Sequence, residues 1–312
     1  MKIIGTLGVG LISLIACGLG LQRPHEEARR SPAKASESQQ VVTRRIDFGD
    51  VPESASSTNS VESAGSKKQE ETADENRVNL QHKISLLEKG DAFLAGIDGY
   101  CATLAKQEVV GSELLDEQTI QMKCRHKPFS VYLNWLTVDP GREVIYIEGQ
   151  NDGKMIAHDG GWKARIPAFT LDPECRLAMR DARYPVTTAG IANLAKTMLD
   201  IHREDLQRDS VATCLAEENQ SFDGRGCTVF TTQYKSPGTS PTYRKSITYI
   251  DDEWNLPVYS RHFAWTESGK GTNEDDLDAS TLIESYSFTD LKLSHPLSDS
   301  DFDRDNSEYR FR

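Results

Sequence analysis

Four aspartates near the C-terminus alternate as the first ligands of a calcium loop do: Asp299, Asp301, Asp303 and Asp305. A loop of the EF-hand type also needs glycine at its sixth position for a sharp turn and a bidentate glutamate at its twelfth. Arg304 and Arg310 occupy those two positions. The spacing therefore predicts no calcium site, and the charges predict a solvated C-terminal segment.

One histidine–aspartate pair, His158-Asp159, stands directly before Gly160-Gly161, which is the composition of a hairpin turn. The sequence has no Gly-x-Ser-x-Gly, phosphate-loop or His-Glu-x-x-His motif, and its cysteines and histidines lack zinc-site spacing. We therefore predict a protein that is not an enzyme and uses no cofactor or metal. An unrecognised hydrolase is the alternative.

Cys17 is the thiol with the most informative surroundings. It follows Lys2 and an apolar run over residues 3–16, which is too short for a membrane-spanning helix but has the order of a secretory signal. The sequence Leu14-Ile15-Ala16-Cys17 resembles the lipobox of bacterial lipoproteins, which implies that residues 1–16 are removed and that Cys17 is acylated. The alternatives are an ordinary signal peptide cleaved nearby and a short uncleaved anchor.

The lipobox resemblance also implies a location. A lipidated protein would be exported and held by its N-terminal lipid on the periplasmic side of the bacterial cell envelope. Gly18 follows the cysteine where an inner-membrane retention signal would place aspartate, so the outer membrane is favoured over the inner one.

Residues 17–77 are predicted to form a disordered tether. This segment is rich in Ser, Glu, Lys, Arg and Gln, and it has no apolar periodicity, so it cannot bury enough surface to offset the entropy of ordering. The whole chain carries 36 Lys and Arg against 48 Asp and Glu. This acidic balance argues against a nucleic-acid partner.

Residues 78–312 are predicted to form one α+β domain. A helix, with a break near Gly90 or Gly96, should run from the cap Asn79 through Leu104, because its apolar residues recur at helical spacing. Alternation of polar and apolar residues then predicts two runs of strands. The first run covers residues 120–124, 129–135, 142–148, 154–158 and 163–168, and the second covers 211–216, 227–234, 243–250, 258–265 and 282–293.

Between the two runs, the sequence predicts a short helix at Asp172-Pro173 and a longer one over residues 187–206. The result is one large antiparallel sheet partly covered by helices. Lys123, Arg125 and Lys127 share one strand face and are predicted to be solvated. Of the five further cysteines, Cys214 and Cys227 flank a hairpin turn and form the first disulfide pair to test.

Several segments resemble a bacterial family known only as domain of unknown function 1571, from about Leu80 to the end. They are residues 100–108, 127–132, 140–146, 149–154, 297–303 and 306–311, where Ser307 departs from an expected proline. Residues 249–259 and 282–293 are also similar to the lipoprotein-carrier superfamily. That similarity implies a half-open β-barrel whose apolar face holds acyl chains beneath a lid of helices.

A hydrophobic ligand would then contact apolar residues on the covered face of the sheet: Phe129, Val131, Leu133, Trp135, Phe263 and Trp265. The leading functional hypothesis is a membrane-anchored lipoprotein that binds a lipid or the acylated end of another lipoprotein. The alternative is a structural module of the envelope with a filled core that binds only proteins. An empty apolar cavity beneath the helices would separate the two.

The lipobox generates a direct prediction. Cells grown with an alkyne fatty acid should incorporate the label into the wild-type protein and not into Cys17→Ser, because acylation requires the thiol. Equal labelling of both proteins would show that Cys17 is not the lipidated residue.

Overall fold

The computed structural model describes residues 65–266, 273–293 and 296–311 of the chain. Its helices are α1 (Gly65–Leu94), α2 (Ile191–Arg208) and α3 (Glu274–Thr281). Short 3-10 turns lie at Asn151–Gly153, Gly161–Lys163, Val186–Thr188 and Asp299–Phe302. Within the described ranges, no helix is both long enough and apolar enough to cross a membrane.

Strands before α2 form the first half of the sheet. They are β1 (Gly99–Val110), β2 (Glu113–Leu114), β3 (Gln118–Arg125), β4 (Ser130–Trp135), β5 (Glu143–Ile147), β6 (Met155–His158) and β7 (Phe169–Leu171). Strands after α2 form the second half. They are β8 (Val211–Phe222), β9 (Arg225–Tyr234), β10 (Lys245–Asp251), β11 (Pro257–Phe263) and β12 (Leu282–Lys292).

All strands belong to one antiparallel sheet in the order β7-β6-β5-β4-β3-β1-β12-β11-β10-β9-β8, with β2 paired to β1. The two halves of the chain meet where β1 pairs with β12. The sheet is open, because its edge strands β7 and β8 do not pair with each other. The predicted class, an α+β fold with a large open antiparallel sheet partly covered by helices, is confirmed.

The first strand is the main error of the sequence-based prediction. Residues 99–110 form β1 at the centre of the sheet, whereas the helix predicted through Leu104 ends at Leu94. Its buried residues Tyr100, Ala102 and Leu104 alternate with less buried ones, as a strand requires. The strand predicted at residues 163–168 and the helix at Asp172-Pro173 are also wrong, because β7 begins only at Phe169 and residues 172–185 form turns.

The predicted tether ends too late. Helix α1 begins at Gly65, inside the segment 17–77, and the remainder of that segment lies outside the described residues. Two asparagines fix this helix to the edge strand β8. The side-chain oxygen of Asn76 accepts a hydrogen bond from the backbone N–H of Cys214 at 2.9 Å, and the side-chain amide of Asn79 donates one to the backbone carbonyl of Cys214 at 2.9 Å. Asn79 is therefore an interior residue of the helix and not its cap.

One face of the sheet is covered by α1 and α2. Leu80, Ile84 and Leu87 of α1 pack with Met198 and Leu199 of α2 against β8, β9 and β10. Towards the other edge, the strands present a second apolar cluster that includes Val131, Leu133 and Trp135, with Phe129 packed against it. These four residues share one face, as their alternation predicted.

The opposite face of β3, β4 and β5 is covered by the C-terminal tail, residues 297–311. Phe302, Tyr309 and Phe311 pack against Tyr132, Ile145 and Ile147, and the rings of Tyr132 and Tyr309 stack at a centroid distance of 3.9 Å. Asp301 pairs with Lys123 at 2.7 Å, and Asp299 pairs with Arg125 at 2.6 Å. The predicted solvated tail is wrong for its aromatic side chains, which are buried, although the charged residues Asp303, Asp305 and Glu308 are exposed. The prediction for Lys123 and Arg125 is also wrong, because both pair with aspartates of the tail.

All five cysteines in the described part of the chain are free thiols. Cys214 lies opposite Thr232 and Cys227 lies opposite Gln220, so the two cysteines do not face each other across the β8–β9 hairpin. The proposed Cys214–Cys227 disulfide is therefore wrong, although the hairpin itself is present.

Packing of the tail can be measured through Phe302, whose side chain is 2% exposed. Removing a buried phenylalanine ring destabilises by about 3–5 kcal/mol, and we expect about 3 kcal/mol for Phe302→Ala because a chain terminus can relax. Phe93→Ala is the matched control, since Phe93 is 37% exposed, and should change stability by less than about 1 kcal/mol. Urea unfolding followed by tryptophan fluorescence measures both. Equal effects of the two substitutions would contradict the described packing of the tail.

Candidate functional site

A cavity of about 250 Å³ lies between the covered face of the sheet and α2. Its floor is built from apolar side chains of β1, β3, β4, β5, β6 and β12: Leu104, Ile120, Leu133, Trp135, Val144, Met155 and Phe288. These strands are neighbours in the sheet, so the floor is continuous. Such an apolar concavity is the usual form of a site for a hydrophobic small molecule.

The roof consists of one face of α2 and the segment before it. Leu194, Met198 and Ile201 recur at intervals of three to four residues and face the cavity from α2. Residues 173–190, here called the roof segment, connect β7 to α2 and contribute mostly small or cyclic side chains: Pro173, Ala178, Ala182, Pro185, Ala189 and Gly190.

Gly190 sets where α2 begins. Its φ is +100°, and a Cβ at this position would lie 2.5 Å from the Tyr100 hydroxyl. That hydroxyl accepts a hydrogen bond from the Ile191 amide at 2.8 Å. Only glycine combines this backbone conformation with so close an approach. The first turn of α2 is therefore fixed directly to the central strand β1.

A network of polar residues centred on two buried carboxylates joins the roof segment to the sheet at one end of the cavity. We call it the latch, and it consists of Lys106, Glu108, Arg183, Tyr184, Tyr243, Glu284 and Tyr286. Glu108 accepts from Lys106 Nζ at 2.8 Å, from the Arg183 amide at 3.0 Å and from the Tyr286 hydroxyl at 2.7 Å. Burial opposes ionisation of Glu108, yet Lys106 and the hydrogen bonds hold its pKa below the usual range.

Glu284 is the second carboxylate of the latch. It accepts from the hydroxyls of Tyr184 at 2.9 Å and Tyr243 at 2.8 Å, and it pairs with Arg183 Nε at 3.1 Å. Burial raises its pKa despite these donors. Each oxygen of the two carboxylates thus accepts at least one hydrogen bond from the protein, and the latch ties the roof segment to the sheet.

Trp135 is held as a rigid wall of the cavity. Its indole N–H donates to Gln118 Oε1 at 2.8 Å, and the Arg142 guanidinium lies 4.7 Å from its ring centroid. Arg142 in turn pairs with Asp181 of the roof segment at 3.2 Å. The tryptophan is thereby fixed to both the sheet and the roof.

The structure brings only two of the six predicted ligand-lining residues to the cavity, Leu133 and Trp135. Phe129 and Val131 pack on the same face outside the lining. Phe263 is fully buried beside Lys245 and Arg261, and the Trp265 indole donates to the Ser240 carbonyl at 2.7 Å. Neither of these last two residues lines the cavity.

Sequence reasoning missed most of the lining. Leu104 was assigned to a helix, and the roof segment has no periodic pattern that could have marked it. The expected turn does not include His158, which is the buried last residue of β6, and Asp159 follows it in the irregular stretch before the 3-10 turn at Gly161–Lys163. Among the described residues, no group of three or more His, Cys, Asp or Glu side chains is placed to hold a metal ion.

Comparison with known proteins places the chain in a family and finds distant structural likenesses. The model of the family described as Protein of unknown function (DUF1571) matches residues 97–311. No curated protein sequence matches the chain.

Three solved structures are similar to the chain at low identity. A DUF1329 family protein from Desulfovibrio piger is 9% identical, with 72% of this chain and 97% of that chain covered and a TM-score of 0.35. The Mycobacterium tuberculosis lipoprotein LppX is 10% identical, with 70% and 98% covered and a TM-score of 0.35. A LolA superfamily protein from Nitrosomonas europaea is 13% identical, with 70% and 96% covered and a TM-score of 0.22. At these TM-scores the likenesses say nothing about ligand or activity.

Two buried histidines should make the fold sensitive to acid. Burial lowers the pKa of His262 to about 3 and that of His202 to about 4. Because these values lie below the ordinary 6.5, the unfolded chain binds more protons than the folded one as the pH falls through 6.5. The free energy of unfolding is therefore unaffected by these histidines above pH 6.5, where they are neutral in both states, and it falls as the pH decreases towards 4.

We therefore expect His262→Gln to reduce the loss of unfolding free energy between pH 7 and pH 4.5 by roughly 2 kcal/mol. His82→Gln is the control, because His82 is exposed, and it should keep the wild-type slope. Urea unfolding at a series of pH values measures the difference. A His262→Gln profile parallel to the wild type would contradict the burial of a neutral imidazole.

Proposed function

We propose a function for this chain, which belongs to the DUF1571 family of proteins of unknown function: it is a non-enzymatic lipoprotein of the bacterial cell envelope whose cavity binds a hydrophobic ligand. The ligand would be a lipid or the acylated end of another lipoprotein. The observation that carries the proposal is the apolar cavity beneath α2 and the roof segment.

Burial of an acyl chain in such a cavity is favourable, at about 0.8 kcal/mol for each methylene removed from water. The floor offers a continuous apolar surface for such a chain. A purely structural module would have no use for this space, because a filled interface between sheet and helices is more stable than a cavity. The cavity therefore supports ligand binding over the alternative of a filled interaction module.

The latch supports a binding role over a hydrolytic one. A hydrolase would need a nucleophile or base free to reach its substrate. Glu108 and Glu284 are instead engaged by five donors and a salt bridge within the protein. Their arrangement serves to hold the roof segment closed over the cavity.

Anchoring is the second part of the proposal, and it rests on the sequence. Cys17 lies outside the described residues, and its lipobox supports attachment to the membrane through N-terminal acyl chains. The composition of the segment that follows supports a tether up to α1, and Gly18 supports the outer membrane. An anchored protein cannot shuttle freely, so local reception or transfer of a ligand fits better than transport across the periplasm.

Probe binding tests the cavity. The full-length chain is tested as Cys17→Ser, because this variant carries no N-terminal acyl chain that could fill the site. It should bind the methyl ester of cis-parinaric acid saturably, with enhanced fluorescence. Leu194→Trp should lower the affinity at least tenfold, because Leu194 lines the cavity from α2.

Lys196→Trp is the matched control, since Lys196 is exposed on the same helix, and it should bind the ester as the wild type does. Circular dichroism and thermal unfolding verify the fold of each variant. The proposed function fails if the folded Cys17→Ser chain does not bind the ester, or if the same chain with Leu194→Trp binds it equally well.

A further inference from the structure

A second group of buried residues, which we call the unpartnered cluster, adjoins the cavity. Its members each have a buried side-chain nitrogen or oxygen without a hydrogen-bond partner among the described residues: Lys83, Ser246, Thr248, Ser260 and His262. His262 also lines the cavity, so the cluster and the cavity meet at that residue.

The register of the sheet places four of these side chains together. Ser246 of β10 lies opposite His262 of β11, and Thr248 lies opposite Ser260. Directly opposed residues in an antiparallel pair project to the same side with their Cβ atoms about 4.5–5.5 Å apart. The four therefore form one continuous polar patch on the sheet.

Lys83 lies above this patch. The patch shares its strand face with Ile250, which packs beneath α1. Lys83 is three residues after Leu80 and four before Leu87, which pack against the same cluster, so it projects from the same face of α1. Its side chain is 0% exposed. Charge interactions of Lys83 with Cys214, Asp205 and His262 agree with this position.

An arrangement of this kind is unfavourable in the empty protein. A buried ammonium and buried hydroxyls lose their hydration and gain no hydrogen bonds in return. Two carboxylates adjoin the cluster, and both have other partners. Asp205, which interacts with Lys83, bonds His202, Ser210 and Tyr234, and Glu284, which lies opposite His262, belongs to the latch. Several unpaired donors in a cluster that meets an apolar cavity at His262 are complementary to an anion.

We propose that the unpartnered cluster is the head-group site of the cavity and that the ligand is an amphiphile with an anionic head, a carboxylate or a phosphate. The acyl chain would lie on the apolar floor, and the head would accept hydrogen bonds from Lys83 and from the hydroxyls of Ser246, Thr248 and Ser260. This inference rests on the proposed function and specifies the ligand class. Burial lowers the pKa of Lys83 to about 8, and a bound anion would favour its charged form.

Two probes that differ only in the head separate this inference from the proposed function. The full-length Cys17→Ser chain should bind cis-parinaric acid, a carboxylate, at least tenfold more tightly than its neutral methyl ester. Lys83→Met should abolish this preference and leave the affinity for the ester within about twofold. Lys89→Met, at an exposed position of α1, should keep the preference.

Thr248→Val provides a second variant that removes one hydroxyl and keeps the side-chain shape. It should weaken binding of the acid by more than it weakens binding of the ester. It also keeps the inference testable if Lys83→Met does not fold. Equal affinity of the wild type for acid and ester, or an equal loss of both in either folded variant, would show that the cluster holds only water. That result would overturn the head-group site while leaving the cavity as a binding site.

Inorganic phosphate alone distinguishes a lipid head from a free anion. The acyl chain should be required, so phosphate should not raise the thermal unfolding temperature of the wild type relative to Lys83→Met. Stabilisation of the wild type alone by phosphate would identify a free-anion site and overturn the amphiphile proposal. Failure of both acid and ester to bind would overturn the proposed function and this inference together.

Discussion

The pairing of β1 with β12 imposes a constraint on which the site depends. It joins the two halves of the sheet, and it sets Glu108 directly opposite Glu284. Like charges in directly opposed positions are destabilising, the more so when they are buried. The protein offsets them with the cations of Lys106 and Arg183 and with tyrosine hydroxyls. Because Arg183 and Tyr184 come from the roof segment, neutralising the sheet centre also closes the cavity.

The same sheet is buried on its other face by a different kind of contact. Near the β3–β5 region the tail supplies Asp299 and Asp301 to Arg125 and Lys123, and it stacks Tyr309 on Tyr132. Glu143 links the sheet to the tail, since its carboxylate accepts hydrogen bonds from the Tyr132 hydroxyl of β4 and from the backbone N–H of Arg310 in the tail. The strands β3, β4 and β5 are therefore covered on both faces, by the tail on one side and by the roof of the cavity on the other.

The elements of the fold and the site were predictable from the sequence only where their residue pattern is local. Strands such as β3 and β4 alternate clearly, and α2 shows an apolar stripe, so the fold class and the shared face of Val131, Leu133 and Trp135 were predictable. Strand β1 was not, because Ile97, Cys101 and Leu104 also fit helical spacing and Ala102 contributes little hydrophobicity. The tail was misjudged because its aspartates find their partners on a strand more than 170 residues earlier in the chain. Pairing across such a separation leaves no local pattern.

Alternation shows which face of a strand is buried, but it does not show whether the space above that face is filled. Here the space depends on the roof segment, where alanine, proline and glycine stand in place of large side chains at Ala178, Ala182, Pro185, Ala189 and Gly190. Small residues over a wide apolar floor leave a volume that interior packing would otherwise remove. The polar residues Asp181, Arg183 and Tyr184 of the same segment bond to Arg142 and Glu284 at the edge of that volume. Within this irregular segment, small residues lie over the cavity and charged ones lie on its rim. This arrangement maintains an open apolar space inside an otherwise tightly packed fold.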